Sequence, residues 1–236
     1  MVNDFSFLAI IPAREGSKGL PGKNILDFSG KPLISWSISN AINTNLFDSV
    51  IVSTDSKEIA DISEKAGATV PFLRPPELSN DNASIIEVAN HAWLNHLDSN
   101  NKPFDFVVLL QPTSPLRTSE DITKSVNLYL NNRKSNQDTL VSVTEIEKKY
   151  GWLMKTTKDS QYIDFIFDVN INNPQRQSLE NLFLPNGAIF ITNGKNIING
   201  FYNKFSIPYL MENQYSIDID SISDFKLAES IFLKIH

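Results

Sequence analysis

Short apolar runs alternating with longer amphipathic ones constrain this chain most, because that rhythm belongs to successive βαβ units and hence to a mainly parallel sheet flanked by helices. Phe7 to Ile11, Ser49 to Ser53, Thr69 to Leu73, Phe106 to Leu110 and Thr139 to Val143 are the expected strands. Between them Leu33 to Ile42, Lys57 to Ala66, Ser84 to Leu97 and Ser119 to Leu130 place apolar residues three and four apart, as helices do. Gly67 follows the second of these, where a helix-terminating glycine belongs. In such a sheet the loops leaving the strand C-termini share one edge, and α/β folds bind ligands there.

Past about Glu145 the rhythm breaks. Tyr150 to Thr157 and Gln161 to Asn170 read as two strands around a Lys158-Asp159-Ser160 turn, and they carry Trp152, Met154, Tyr162, Ile163, Phe165, Ile166 and Phe167. A solvated hairpin cannot hide that much apolar surface, so either the parent domain or a second subunit has to cover it. Gly187 to Thr192 and Ile207 to Met211 are expected as further strands, and Ser221 to Ile235 as a closing helix.

The 236 residues, 41% of them hydrophobic, suffice for one large domain with its own core. A net charge of −6 speaks against nucleic acid or anionic lipid as a partner, so any anion must be held by a local cluster. The absence of cysteine excludes disulfides, thiolate metal sites and cysteine nucleophiles, and fits a reducing, cytoplasmic setting. His91 and His96 are five apart rather than the four that ligands on one helical face require, and His236 is terminal, so the histidines are expected to be structural. The apolar run Phe5 to Ala13 lies between Asp4 and Arg14-Glu15, too short and wrongly flanked for a signal peptide or a membrane span.

The densest signal is the loop after the first strand, Pro12-Ala-Arg14-Glu-Gly16-Ser17-Lys18-Gly19-Leu-Pro21-Gly22-Lys23-Asn24. Three glycines at three-residue intervals let backbone N–H groups curve around phosphate oxygens, and Arg14, Lys18 and Lys23 against Glu15 give a local charge of +2. A polyphosphate is the natural guest. The spacing fits neither a Walker A loop, since five residues separate Gly16 from Gly22 and Asn24 follows the lysine, nor a GxGxxG turn.

Other segments carry weaker signals. The prolines of Gln111-Pro-Thr-Ser-Pro-Leu-Arg117 stiffen the backbone at the sheet's ligand edge, although a plain strand-to-helix turn reads as well. Asp218 and Asp220 alternate with Ile217 and Ile219, which in a strand puts both carboxylates on one face; that suits Mg2+ and equally suits an acidic edge strand capping the last helix. Asp55-Ser-Lys-Glu58 has the spacing of a helix capping box, a role as good for Asp55 as substrate contact. Arg176 can grip a carboxylate bidentately or make a surface salt bridge.

Together the motifs resemble the cytidylyltransferases that activate nine-carbon acidic sugars, the CMP-sialic acid synthetases and their bacterial relatives acting on legionaminic and pseudaminic acids. The resemblance runs from the Ile10 to Asn24 segment through Val-Ser-Thr-Asp55, Leu-Arg74-Pro-Pro-Glu-Leu with Asp81 and Ser84, the Gln111 heptapeptide, Gln175-Arg176-Gln177, Pro185-Asn-Gly-Ala-Ile-Phe190, and Ser216-Ile-Asp-Ile-Asp220. It implies a single domain over 1–236 with a three-layer Rossmann-like sheet, in which 145–181 form an inserted dimerisation module. The implied enzyme is a nucleotidyltransferase using CTP and Mg2+. Arg14, Ser17, Lys18 and Lys23 would meet the triphosphate, Arg14 and Lys23 as catalytic groups, and Asn24, Arg74 and Ser84 the cytidine. Gln111, Arg176, Asn186 and Phe190 would face the sugar, and Asp218 and Asp220 the metal. Two departures bear on the sugar: some sialic-acid enzymes have Arg and Tyr where this chain has Leu184 and Phe190. The rival readings are the same chemistry on an eight-carbon 2-keto-3-deoxy acid, and a non-catalytic nucleotide-binding protein.

Overall fold

A computed structural model describes residues 5–17, 19–158, 161–167 and 179–235. In chain order the elements are β1 (Phe7–Pro12), β2 (Asp27–Phe28), β3 (Lys31–Pro32), α1 (Leu33–Asn43), β4 (Ser49–Ser53), α2 (Lys57–Lys65), α3 (Ile85–Leu94), β5 (Phe106–Leu109), α4 (Ser119–Asn132) and β6 (Thr139–Ile146). They continue with β7 (Met154–Thr156), β8 (Ile163–Phe165), β9 (Leu182–Asn193), β10 (Ser206–Leu210) and α5 (Ile222–Ile235).

Six strands form the central sheet in the order β10-β6-β9-β5-β1-β4. The pairs β1/β4, β1/β5 and β10/β6 are parallel, and β9 runs antiparallel to both of its neighbours. Alternation along β1 explains the layering. Phe7, Ala9 and Ile11 pack with Ile34 and Ile38 of α1 and Ile122 and Val126 of α4, whereas Leu8 and Ile10 pack on the other face with Ala89, Ala92 and Trp93 of α3. Burial on both faces is why β1 reads as an unbroken apolar run, each large side chain contributing roughly 1.5–3 kcal/mol. A third cluster joins Phe28 and Leu33 to Phe225, Ala228 and Phe232 of α5, and it takes in Leu116 and Ile219.

Several expectations need correction. Thr69 to Leu73 forms no strand and touches the sheet edge only through the parallel bridges Ile51–Thr69 and Thr54–Leu73. Helix α3 stops at Leu94, where the Asn95 side chain turns back to donate to the His91 carbonyl. The 150s hairpin is shorter than expected: Lys148–Trp152 is a 3-10 turn, and only β7 and β8 pair. Asp159 and Ser160 of the turn, and residues 168–170, lie outside the described residues. Gly67 does end α2 with φ +97°.

Candidate active site

Strand β1 has parallel neighbours on both sides, so its C-terminus sits where the strand order turns outward, with the β4 and β5 C-termini beside it. The loops leaving β1 and β5, together with the stretch from Arg74 to Val88 and with Asp218 and Asp220, enclose a cleft of about 430 Å³. Arg14, Ser17, Lys23, Asn24, Arg74, Gln111, Asp218 and Asp220 all line it. Residues remote in sequence thus converge as the motifs suggested.

The glycine-rich loop is tied at both ends. Glu15 N–H donates to Asp55 Oδ1 at 3.0 Å, and the buried Asn24 side chain donates to the Arg14 carbonyl at 3.0 Å. Asp55 therefore does not cap α2, whose N-cap is Ser56 without a side-chain bond; the neighbouring loop offers it an N–H and the Arg74 guanidinium 4.0 Å away offers it charge. Gly19 is required by close approach, since a Cβ there would overlap the Asp220 carbonyl oxygen.

The cations are already partnered. Arg14 Nη1 lies 2.7 Å from Asp81 Oδ1, and Lys23 Nζ donates to the Ile219 carbonyl and to Asp220 Oδ1. Arg74 differs. It is buried, among the described residues its Nε and Nη2 have no hydrogen-bond partner, and burial lowers its pKa with Asp55 opposing and Arg14 assisting that shift. A buried guanidinium with unused donors beside a cleft calls for an acceptor from a ligand.

Asp218 and Asp220 lie in an extended segment rather than a strand, yet the alternation holds. Ile219 is fully buried against α5, and its N–H donates to the Thr113 carbonyl at 2.9 Å, which turns both carboxylates to the cleft. Burial pushes the Asp218 carboxyl up and the Asp220 charge adds to it, while Thr113 and Lys23 pull it down. Two crowded hard-oxygen donors fit Mg2+, which takes one or two carboxylates and completes its shell with phosphate oxygens and water. Among the described residues no group of three or more His, Asp or Glu gathers to hold an ion unaided.

The remaining predicted residues stand apart from the cleft lining. Ser84 Oγ accepts from Ile86 N–H in a capping box with Glu87, so its side chain terminates α3. Asn186 is buried and fully engaged: its Oδ1 accepts from Ser142 Oγ and Ala188 N–H, and its Nδ2 donates to Ser216 Oγ at 2.9 Å. Phe190 lies in the core against Phe201 and Tyr202. Lys18 and Arg176 lie outside the described residues. Asp81, Asn80 and Thr113 also line the cleft, and sequence reasoning gave none of them a role. Asp81 had a signal, an acid close after Arg74 in the motif series; Thr113 acts partly through its backbone, which leaves none.

A family model described as Cytidylyltransferase matches residues 8–165. The N-acylneuraminate cytidylyltransferase of Escherichia coli O18:K1:H7 is 39% identical over 226 residues, covering 95% of this chain and 51% of that protein, so the chain spans about half the length of that relative. The CMP-N,N'-diacetyllegionaminic acid synthase of Legionella pneumophila is 37% identical, with 95% of each chain covered, and the pseudaminic acid cytidylyltransferase of Campylobacter jejuni serotype O:2 is 33% identical, with 97% of each covered. Among solved structures, CMP:2-keto-3-deoxy-manno-octonic acid synthetase complexed with CTP superimposes with a TM-score of 0.71 at 15% identity, covering 98% of this chain and 100% of that one. At that identity the likeness speaks for the fold.

Proposed function

Because the chain belongs to the cytidylyltransferase family, we propose that it transfers CMP from CTP to an acidic nine-carbon sugar of the sialic, legionaminic or pseudaminic type, releasing pyrophosphate. The observation that carries this reading is the cleft itself, where two cations, a buried arginine with unused donors and two carboxylates meet at the strand C-termini. The names of the relatives at 33–39% identity favour a nine-carbon acid over an eight-carbon one.

In this reading Arg14, Ser17 and Lys23 take the triphosphate, with Lys18 from the same loop. Asn24 and Arg74 hold the cytidine, Ser84 fixing the helix start behind them. Gln111 and Arg176 face the sugar, while Asn186 and Phe190 support the wall from behind. When the sugar's anomeric hydroxyl attacks the α-phosphorus, charge builds on the α-phosphate oxygens and on the departing pyrophosphate, so fixed cations aimed there stabilise the transition state. Lys23 and Arg14 are held in place by Asp220 and Asp81 before substrate arrives, which limits the reorganisation that binding costs. Bound at Asp218 and Asp220, Mg2+ would supply further positive charge to the phosphate oxygens.

A homodimer through 145–181 belongs to the same proposal, supported by the exposure of Tyr162 at 68% and Ile163 at 66%. A cytoplasmic setting is supported by the absence of cysteine. The test is pyrophosphate release from CTP across a panel of acidic sugars. Release with an eight-carbon 2-keto-3-deoxy acid alone would replace the sugar class, and release with none would remove the activity.

A further inference from the structure

Among the described residues Arg117 is the largest fully buried side chain, only 1% exposed, and no carboxylate forms a salt bridge with it. Burying a charge costs several kcal/mol unless oxygens or an opposite charge offset it. Oxygens meet both terminal nitrogens, while among the described residues Nε has no hydrogen-bond partner. Nη1 donates to the Gln111 carbonyl at 3.1 Å and to the Ala188 carbonyl at 2.7 Å, and Nη2 donates to Ser37 Oγ at 2.7 Å. Burial lowers its pKa to about 10, with the Asp121 charge opposing the shift, which leaves the group charged at neutral pH.

The location of these acceptors gives the arrangement a purpose. The β5/β9 ladder pairs Phe106 with Asn193 through to Leu109 with Phe190 and then ends. Gln111 and Ala188 lie just beyond its last rung, and the Gln111 carbonyl there also accepts from Ser37 Oγ and from Ser114 N–H, each at 3.4 Å. The guanidinium bridges the Gln111 and Ala188 carbonyls. Gln111 then enters the cleft with its Oε1 packed against Gly187, where φ is +76° and a Cβ would stand 2.8 Å from that oxygen and 3.4 Å from Asp218 Oδ2. Two residues on, the Thr113 carbonyl takes the Ile219 N–H between the two aspartates.

We infer that Arg117 is a positioning residue, fixing the Gln111 side chain against Gly187 and Asp218 so that the sugar-facing wall of the cleft is set before substrate binds. The inference rests on the proposed function for the identity of that wall's ligand, but not for the geometry. Its larger effect is on the sugar: the phosphate loop and Arg74 have ties of their own through Asn24, Asp55 and Thr54, none of them hydrogen-bonded to Arg117, and the loop meets the Ile219–Asp220 segment only at its Gly19 and Lys23 end. Lysine replaces it only in part, since one ammonium lacks the planar fork that reaches both carbonyls and Ser37 together.

The experiment uses the full chain with Arg117→Met, Arg117→Lys and Ser37→Ala, each first checked for cooperative unfolding. CTP affinity is read by calorimetry without sugar, and the KM for sugar is read by pyrophosphate release. Arg117→Met is expected to raise the sugar KM at least about tenfold with CTP affinity within roughly threefold of wild type, Arg117→Lys to recover only part, and Ser37→Ala to show a smaller rise of the same kind. Should Arg117→Met fail to fold, Arg117→Lys and Ser37→Ala carry the same test. A folded variant with wild-type sugar KM, or an equal loss toward CTP and sugar, overturns the inference. If wild type turns over no acidic sugar, it is the proposed function that fails. The inference is then read from amide exchange, where faster exchange at Ile219 in the folded variants, against unchanged exchange in the Asn24 turn, sustains it and unchanged exchange at both overturns it.

Discussion

Lys23 Nζ stands 3.1 Å from Asp220 Oδ1, so the cation proposed to meet the leaving phosphates is held by one of the carboxylates proposed to hold the metal. The pair couples the glycine-rich loop to the segment before α5, across nearly the whole length of the chain.

If Lys23 and Arg14 act on charge that develops as the phosphorus–oxygen bond breaks, their loss should show in turnover more than in binding. Lys23→Ala and Arg14→Ala are each expected to lower kcat about a hundredfold, on the order of 3 kcal/mol, with a smaller change in CTP affinity. Lys31→Ala is the control. Its ammonium packs 3.7 Å from the Trp36 ring centre and donates to Ser39, away from the cleft, so kinetics should stay near wild type at some cost in stability. Steady-state kinetics beside thermal unfolding separates the two effects.

Asp218→Asn and Asp220→Asn should each lower turnover well over tenfold at fixed Mg2+, because losing one ligand charge weakens the ion. The fold is expected to survive, since both carboxylates face the cleft while Ile219 makes the packing contacts. Unchanged Mg2+ dependence in both variants would take these residues out of the metal site.

Gly19→Ala tests the close approach of the loop to Asp220. The added methyl would overlap the Asp220 carbonyl, so the loop or the carboxylate segment has to move, and misplacing either should lower turnover by roughly tenfold or more. Normal kinetics in Gly19→Ala would mean that the two segments need not touch.

The exposed apolar side chains of the β7/β8 ribbon, with the exposed Phe183 and Leu184 of β9, should be covered by a second copy of the chain. Sedimentation at micromolar concentration is expected to show a dimer, and Tyr162→Asp with Ile163→Asp to shift it toward monomer. A wild-type monomer at that concentration would refute the assembly.

His96 is stacked on Phe104 and paired with Ser49 Oγ, and burial lowers its pKa from the usual 6.5. The folded state therefore binds this proton less readily than the unfolded state. The neutral ring's contribution is complete above about pH 6.5, the unfolded value, and is lost as pH falls from there through the lower value of the folded state. His96→Gln should show a shallower loss of melting temperature on acidification than wild type, and parallel curves would refute the assignment.

What the sequence displayed was what short stretches determine. Phe7 to Ile11 announces a doubly buried strand by composition, and the glycine spacing after it announces a loop for anions whatever the rest of the chain does. The alternation of Asp218 and Asp220 with two isoleucines survives even though no strand forms there, because the burial of Ile219 alone sets the direction of its neighbours. The misses depend on partners distant in the chain. Asp55 looks like a helix cap until the Glu15 N–H, forty residues earlier, proves to be its partner. Asn186 looks like a residue for a ligand until Ser142 and Ser216 are seen to use up its amide. Arg117 ends an ordinary turn motif and shows no local sign that its charge lies in the core.

Strand β9 has two halves of different character. From Phe190 to Asn193 it pairs with β5, Phe190 and Ile191 pairing with β6 as well, and from Leu182 to Pro185 it pairs with β6 alone. Between them Ser142 of β6 stands opposite Asn186 to Ile189, and its hydroxyl bonds Asn186 Oδ1 and Ile189 N–H, filling the gap. Such a joint works as a slip coupling. Residues could be gained or lost between Glu145 and Leu182 without shifting the register of the inner half, so the ribbon can diverge in length and surface while Gly187 keeps its place against Gln111.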